Sequence, residues 1–148
     1  MATAHQGPQL ALTTWLVDTG PFIAYISRTD PMHARVAARV DGFSGHVATT
    51  SAVITEVMYF LSSVPSGPLT FAELLVASGT RIAESTQPRH VLAAAELMGK
   101  YSDTPMDFAD ATLVLLADEL GVMDILTLDR RGFSTYRTTR GKAFRLVL

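Results

Sequence analysis

The chain has 148 residues, 48% of them hydrophobic, and a formal net charge of −2. That is enough for one domain with a sizeable core, and the overall charge argues against strong general affinity for nucleic acid. With no cysteine, a disulfide framework and a thiolate metal site are both excluded, and no apolar run approaches the roughly 18 residues that a membrane span requires.

Residues 1–11 lack the basic start and long apolar stretch of a signal peptide. They are expected to form a loose lead to a single domain over 12–148, in a soluble protein of the cytoplasm. Trp15 to Val17 predicts a short buried strand that ends at Asp18. Pro21 suits the first helical position, with the helix running over Phe22 to Ser27. Asp30 and Pro31 read as an N-cap and N1 pair opening a second helix to about Val40, with Arg35 and Arg39 outward. His46 to Thr49 predicts a second strand, and Ser51 caps the apolar helix SAVITEVMYFLSS that follows. Glu56 is the one charged residue of that helix, and an ionised carboxylate there is costly to bury unless something compensates it.

The segment SSVPSGPLT reads as a connection. After it come a short helix over Phe71 to Ser78, a strand at Arg81 to Ala83, and a helix from Pro88 to Tyr101 whose buried face is expected to carry Val91, Leu92, Ala95 and Met98. Asp107 precedes an apolar run from Phe108 to Leu120 and so predicts an N-capped helix, closed by Gly121. Asp110 falls in its first turn, so the two carboxylates share a face near the positive end of the helix. Ile125 to Leu128 predicts a buried parallel strand leading to Asp129, and Phe144 to Leu148 a final edge strand. Strands alternating with helices indicate an α/β fold, a mostly parallel central sheet flanked by helices. Six of the twelve basic residues, Arg130, Arg131, Arg137, Arg140, Lys142 and Arg145, follow Asp129 and no acidic residue does, which makes the tail a solvated basic surface or a strip for nucleic acid.

Asp18, Glu56, Asp110 and Asp129, with Asp107 in reserve, are the candidate site. In open α/β sheets ligands bind outside the carboxyl ends of strands, where Asp18 and Asp129 are expected. Carboxylates gathered in one cleft repel, and burial raises their pKa values; a divalent cation resolves the conflict. An all-oxygen set favours Mg²⁺ or Mn²⁺ over zinc. Thr19 and Thr127 adjoin the candidate ligands and are placed to hydrogen-bond them or a metal-bound water. Each acid also has a structural reading: Asp107 foremost as a cap, Asp129 and Asp18 as turn aspartates. A phosphatase acting through Asp18 is a competing class, although Gly20 stands where such enzymes of the haloacid dehalogenase type want a second aspartate.

Four stretches together resemble the PIN-domain family, specifically VapC-type toxin ribonucleases of toxin–antitoxin pairs: LVDTGPFIAYI around Asp18, TEVMYFL around Glu56, MDFADATLVLLADELG around Asp110 and ILTLDRRGFSTYR around Asp129. The resemblance runs from about Trp15 to Tyr136. It implies a single PIN-like domain and an Mg²⁺- or Mn²⁺-dependent ribonuclease whose acidic quartet is Asp18, Glu56, Asp110 and Asp129. It further implies a homodimer, inhibited by a cognate VapB-type antitoxin whose tail reaches into the groove. Asp107 matches an acidic position that is common but not universal in the family. On this reading Arg130, Arg131 and Arg137 contact the RNA backbone; a non-catalytic binding module on the same fold is the alternative.

Overall fold

Five short strands form one sheet: β1 (Thr14–Val17), β2 (His46–Thr50), β3 (Arg81–Ala83), β4 (Asp124–Leu126) and β5 (Arg145–Leu146). They come from a computed structural model that describes residues 13–148, so the expected lead over 1–11 and residue 12 lie outside the described residues. The strand order is β3-β2-β1-β4-β5. Every pairing between these strands is parallel, with Leu16 opposite both Ala48 and Ile125, which sharpens the expected mostly parallel sheet. The chain steps outward from β1 to β3 and then returns to the other side of β1. Strand order therefore reverses between β1 and β4, the kind of crevice where α/β sheets bind ligands.

The helices are α1 (Thr19–Ile26), α2 (His33–Asp41), α3 (Ser51–Leu61), α4 (Gly67–Ser78), α5 (Pro88–Lys100), α6 (Phe108–Leu120) and α7 (Arg130–Thr135). Alternation along the strands serves two layers. Trp15, Val17, Val47 and Leu126 meet Phe22, Val40, Phe43 and Leu74 of the α1, α2 and α4 side, while the Thr50 hydroxyl lies 2.8 Å from that of Thr112 on α6. Right-handed crossovers require this arrangement once the chain changes direction across the sheet. Burial on both faces is why the strands read as near-continuous apolar runs. Helix α6 lies deepest, buried from Ala109 through Val114 and again at Leu116 and Ala117. No helix of the described residues is long and apolar enough to cross a membrane.

Several boundaries differ from the sequence reading. Helix α1 starts at Thr19, two residues before Pro21, because the first turn of a helix has no intrahelical partner for its N–H groups and tolerates proline beyond N1. The same tolerance lets α4 begin at Gly67 and run through Pro68 rather than waiting for Phe71. A Cβ on Gly67 would come within 2.8 Å of the Leu61 carbonyl, so glycine permits the tight passage from α3. Asp30 does not cap α2; it accepts from the Met32 amide in a preceding turn, and the helix opens at His33. Thr50, not Ser51, caps α3. On α5 the buried residues are Ala94 and Leu97, while Val91, Leu92 and Ala95 are exposed. That helix is apolar at almost every position from Val91 to Ala95, so periodicity did not select the face that meets α6. Strand β4 stops at Leu126, and the segment after Asp129 is helical rather than a simple turn.

Candidate metal centre

Asp18, Glu56, Asp107, Asp110 and Asp129 line one open cleft of about 380 Å³, together with Thr19, Gly20, Ile23, Phe60 and Leu128. Asp18 and Asp129 arrive from the ends of the two strands at the switch point, Asp110 from the first turn of the buried helix, and Glu56 from the middle of α3. No lysine, arginine or histidine lines the cleft. Among the described residues the one ion pair joins Arg145 to Asp124, outside that lining.

Local hydrogen bonds fix most of the acids. Asp18, 7% exposed, accepts from the Thr19 amide at 2.7 Å with Oδ1 and from the Thr127 hydroxyl at 2.7 Å with Oδ2. The same Thr127 oxygen accepts from the Asp129 amide at 3.0 Å, so one hydroxyl ties the two strand ends together. Asp129 in turn accepts from the Gly132 amide at 3.0 Å and caps α7. A Cβ on Gly132 would fall 2.2 Å from Asp129 Oδ2, so the carboxylate can fold onto this helix only over a glycine. Asp107 and Asp110 form a reciprocal capping box at the start of α6, with Asp110 N donating to Asp107 Oδ1 at 2.8 Å and Asp107 N donating to Asp110 Oδ2 at 3.2 Å.

Burial and repulsion perturb these groups. Asp18 is pushed up to about 6, by burial first and, against the help of Thr127 and Thr19, by the charges of Asp107 and Glu56. Asp110, 8% exposed, is driven well above the usual carboxylate range by burial and then by Asp18 and Asp107. Glu56, half-buried, is raised by burial, eased by the Thr19 hydroxyl and raised again by Asp107. The Thr19 hydroxyl nevertheless lies beyond hydrogen-bond distance of any partner, although it is buried.

A hard cation fits this set: five carboxylates line the cleft with no cationic side chain among them, burial and the neighbouring acids raise the proton affinity of Asp18 and Asp110, and one buried hydroxyl has no partner. As they stand, no three His, Asp or Glu side chains among the described residues form a compact ligating group. The acids line the cleft without forming a compact group, and all but Glu56 are held in place by capping bonds.

The expected basic residues lie apart from this lining. Arg130 donates to the Leu148 carbonyl at 3.0 Å, and Arg137 donates to the Ser134, Thr135 and Tyr136 carbonyls at the end of α7. The side chain of Arg131 is exposed and makes no hydrogen bond among the described residues. Two residues of the neighbourhood escaped the sequence reading. Tyr136, fully buried, donates to the Pro105 carbonyl at 2.6 Å; its phenol is raised by burial and then by Asp110, Asp129, Asp107 and Asp18, so it stays a neutral donor beside the acids. Phe60 lies four residues after Glu56, a helical spacing that alone would have placed it on the face of the acid.

A model of the PIN domain matches residues 15–138. Ribonuclease VapC26 of Mycobacterium tuberculosis is 30% identical to the chain over 133 residues, 89% of this chain and 98% of that protein. The crystal structure of Mycobacterium tuberculosis VapC20, a Sarcin-Ricin loop cleaving toxin, matches with a TM-score of 0.71 at 18% identity, over 80% of this chain and 91% of that one. FitAB bound to an IR36 DNA fragment matches with a TM-score of 0.57 at 17% identity, over 80% of this chain and 87% of that one. At those identities the two structures speak for the fold. The matched stretch runs from β1 past α7 and contains all five cleft acids, and the chain belongs to the PIN-domain family, among its VapC-type members.

Proposed function

We propose that the protein is a Mg²⁺- or Mn²⁺-dependent ribonuclease, the toxin of a type II toxin–antitoxin pair, inhibited by a cognate VapB-type antitoxin and acting as a homodimer. The observation that carries this reading is the gathering of Asp18, Glu56, Asp107, Asp110 and Asp129 around one cleft that has no cationic side chain in its lining. The VapC26 relative, named a ribonuclease, supports the same chemistry.

In this reading Asp18, Asp110 and Asp129 hold the cation, directly or through water. Ligation through water suits acids that stand apart across a cleft, because Mg²⁺ gives up its waters reluctantly. When bound, the ion supplies charge for the cleaved phosphate and lowers the pKa of a water. Glu56 is a further ligand or takes the proton of the attacking water, a role that its raised pKa favours. Thr127 orients Asp18 and the Asp129 backbone together, and Thr19 offers its free hydroxyl to a ligand water. Hydrolysis leaves a 5′-phosphate and a 3′-hydroxyl. Arg131 and, once released from their carbonyl partners, Arg130 and Arg137 contact the RNA backbone.

Incubation with total RNA in the presence and absence of Mn²⁺, with new 5′ ends mapped, tests the reading. Discrete Mn²⁺-dependent ends that vanish in the Asp110→Asn protein are expected. Identical cleavage by Asp110→Asn would refute the site. Hydrolysis of a small phosphate ester in place of RNA would support the phosphatase, and calorimetry without Mg²⁺ or Mn²⁺ binding would support a non-catalytic module.

A further inference from the structure

One aromatic ring, that of Phe60, lines the acid cleft and has no part in the chemistry above. Phe60 is 51% exposed although it lines the same cleft as the five acids, and Tyr59 beside it is 74% exposed. The two rings meet edge to face, with centroids 5.4 Å apart at 74°. That contact restrains the Phe60 ring, and half of its surface stays open to solvent. A single exposed ring is ordinary, but here two exposed rings in contact stand at the acid cleft, and one of them lines it.

We propose that Phe60 is the stacking platform for a nucleobase next to the cleaved phosphate, so that the cleft takes single-stranded RNA with its bases unstacked. The proposal rests on the ribonuclease reading. RNA carries a negative charge at every phosphate, and the cleft lining offers it five carboxylates and no cationic side chain. Even with a divalent ion in place, a nucleotide lying here needs affinity that does not depend on positive side chains. Stacking on an aromatic face provides that, and it is tolerant of sequence because every base has a π-face. Phe60 is one helical turn from Glu56, about 5–6 Å between Cβ atoms. A base flanking a phosphate held at the acids therefore comes within reach of the ring.

Single-stranded RNA 12-mers of random sequence, cleaved in Mn²⁺, are the probe. Stacking is worth about 1–3 kcal/mol per base, roughly 5- to 150-fold, so Phe60→Ala should raise KM by that factor with kcat changed less. Phe60→Trp should restore KM, and Phe60→Leu, equally apolar but without a π-face, should not. The Phe60→Trp protein also reports directly: Trp15, the other tryptophan, is buried, so quenching by the 12-mer comes from position 60. Quenching without any cleavage would keep the platform and remove the nuclease. Cleavage by Phe60→Ala or Phe60→Leu with wild-type KM would remove the platform and keep the nuclease. A change of oligomeric state in Phe60→Ala by sedimentation, at unchanged KM, would overturn the proposal in favour of a second copy covering the ring.

Discussion

Replacing Asp18 by asparagine removes the most enclosed charge of the cleft while keeping its shape. The folded chain holds the Asp18 proton up to about pH 6, whereas an ordinary aspartate releases it near 3.8. A carboxyl whose folded pKa is raised favours folding fully below about pH 3.8, and that contribution is lost as the pH rises through 6. The gap of about two pH units corresponds to about 3 kcal/mol. Asparagine escapes this loss. It still accepts one of the two hydrogen bonds that Asp18 receives from Thr19 and Thr127, and giving up the other costs about 1 kcal/mol. At pH 8 in chelator the Asp18→Asn protein should therefore be about 2 kcal/mol more stable than wild type, on the order of 4–8 °C in Tm for a chain of this size. At about pH 2.5, well below both the folded and the unfolded value, Asp18 is neutral in either state and the advantage should vanish or turn into a deficit of about 1 kcal/mol. Saturating Mn²⁺ at pH 8 should stabilise wild type and leave the variant behind, while RNA cleavage by the variant disappears. Thermal unfolding by circular dichroism at the two pH values, with and without Mn²⁺, reads all of this. A variant no more stable than wild type at pH 8 in chelator would show that the Asp18 charge is not a burden to the fold, and the argument for a cation from repulsion would fall with it.

Thr127→Val keeps the volume but cuts the link from Asp18 to the Asp129 amide; Mn²⁺ affinity by calorimetry and initial cleavage rate should drop about 10- to 100-fold, and wild-type values would deny Thr127 its orienting role. Gly132→Ala drives a methyl into Asp129 Oδ2, so a loss of about 1–3 kcal/mol in denaturant unfolding is expected together with weaker Mn²⁺ binding; an unchanged midpoint would mean that the α7 cap is slack. Asp107→Ser should retain stability and cleavage, whereas Asp107→Ala should lose about 1 kcal/mol of stability; a serine variant as inactive as Asp110→Asn would instead make the Asp107 charge part of the site. Arg131→Ala should weaken RNA binding by filter assay at low salt and lower the slope of log affinity against log salt by about 1; an unchanged slope would free Arg131 from the backbone contact.

The parts of the fold that sequence disclosed are those where a local device and a buried run coincide. Helix α6 was legible end to end because Asp107, the apolar run and Gly121 each act within a few residues, and the structure returns the capping box and a C-cap with φ of +65°. Asp18 and Asp129 were legible as strand-exit acids for the same reason. Most of what escaped depends on partners distant in sequence. The buried face of α5 is chosen by α6, and an almost uniformly apolar helix gives no hint of which side that is. Tyr136 approaches the acids through the Pro105 carbonyl, 31 residues away, and nothing near it in sequence marks that contact. Helix α7 itself was missed for a local reason: the capping role of Asp129 depends on Gly132, which reads in sequence as a breaker rather than as the space that the carboxylate needs.

Four of the five cleft acids serve as helix-terminal groups, and this explains how the chain keeps them together without a lysine or arginine among them. Asp18 caps α1, Asp107 and Asp110 share the start of α6, and Asp129 caps the short α7. Each full helix presents roughly +0.5 of a charge at its N-terminus, so α1 and α6, with a smaller share from α7, bring the cleft a little over one positive unit against five carboxylates. That partial neutralisation fixes the acids in direction, but with all five ionised it leaves a deficit of nearly four charges, which burial and repulsion make most costly at Asp18 and Asp110. Glu56 alone of the five has no helix terminus to lean on; it faces the others across the cleft from the middle of α3. A divalent ion would halve that deficit at the place where three helix ends and Glu56 meet in one cleft, and the strand reversal between β1 and β4 is what brings them there.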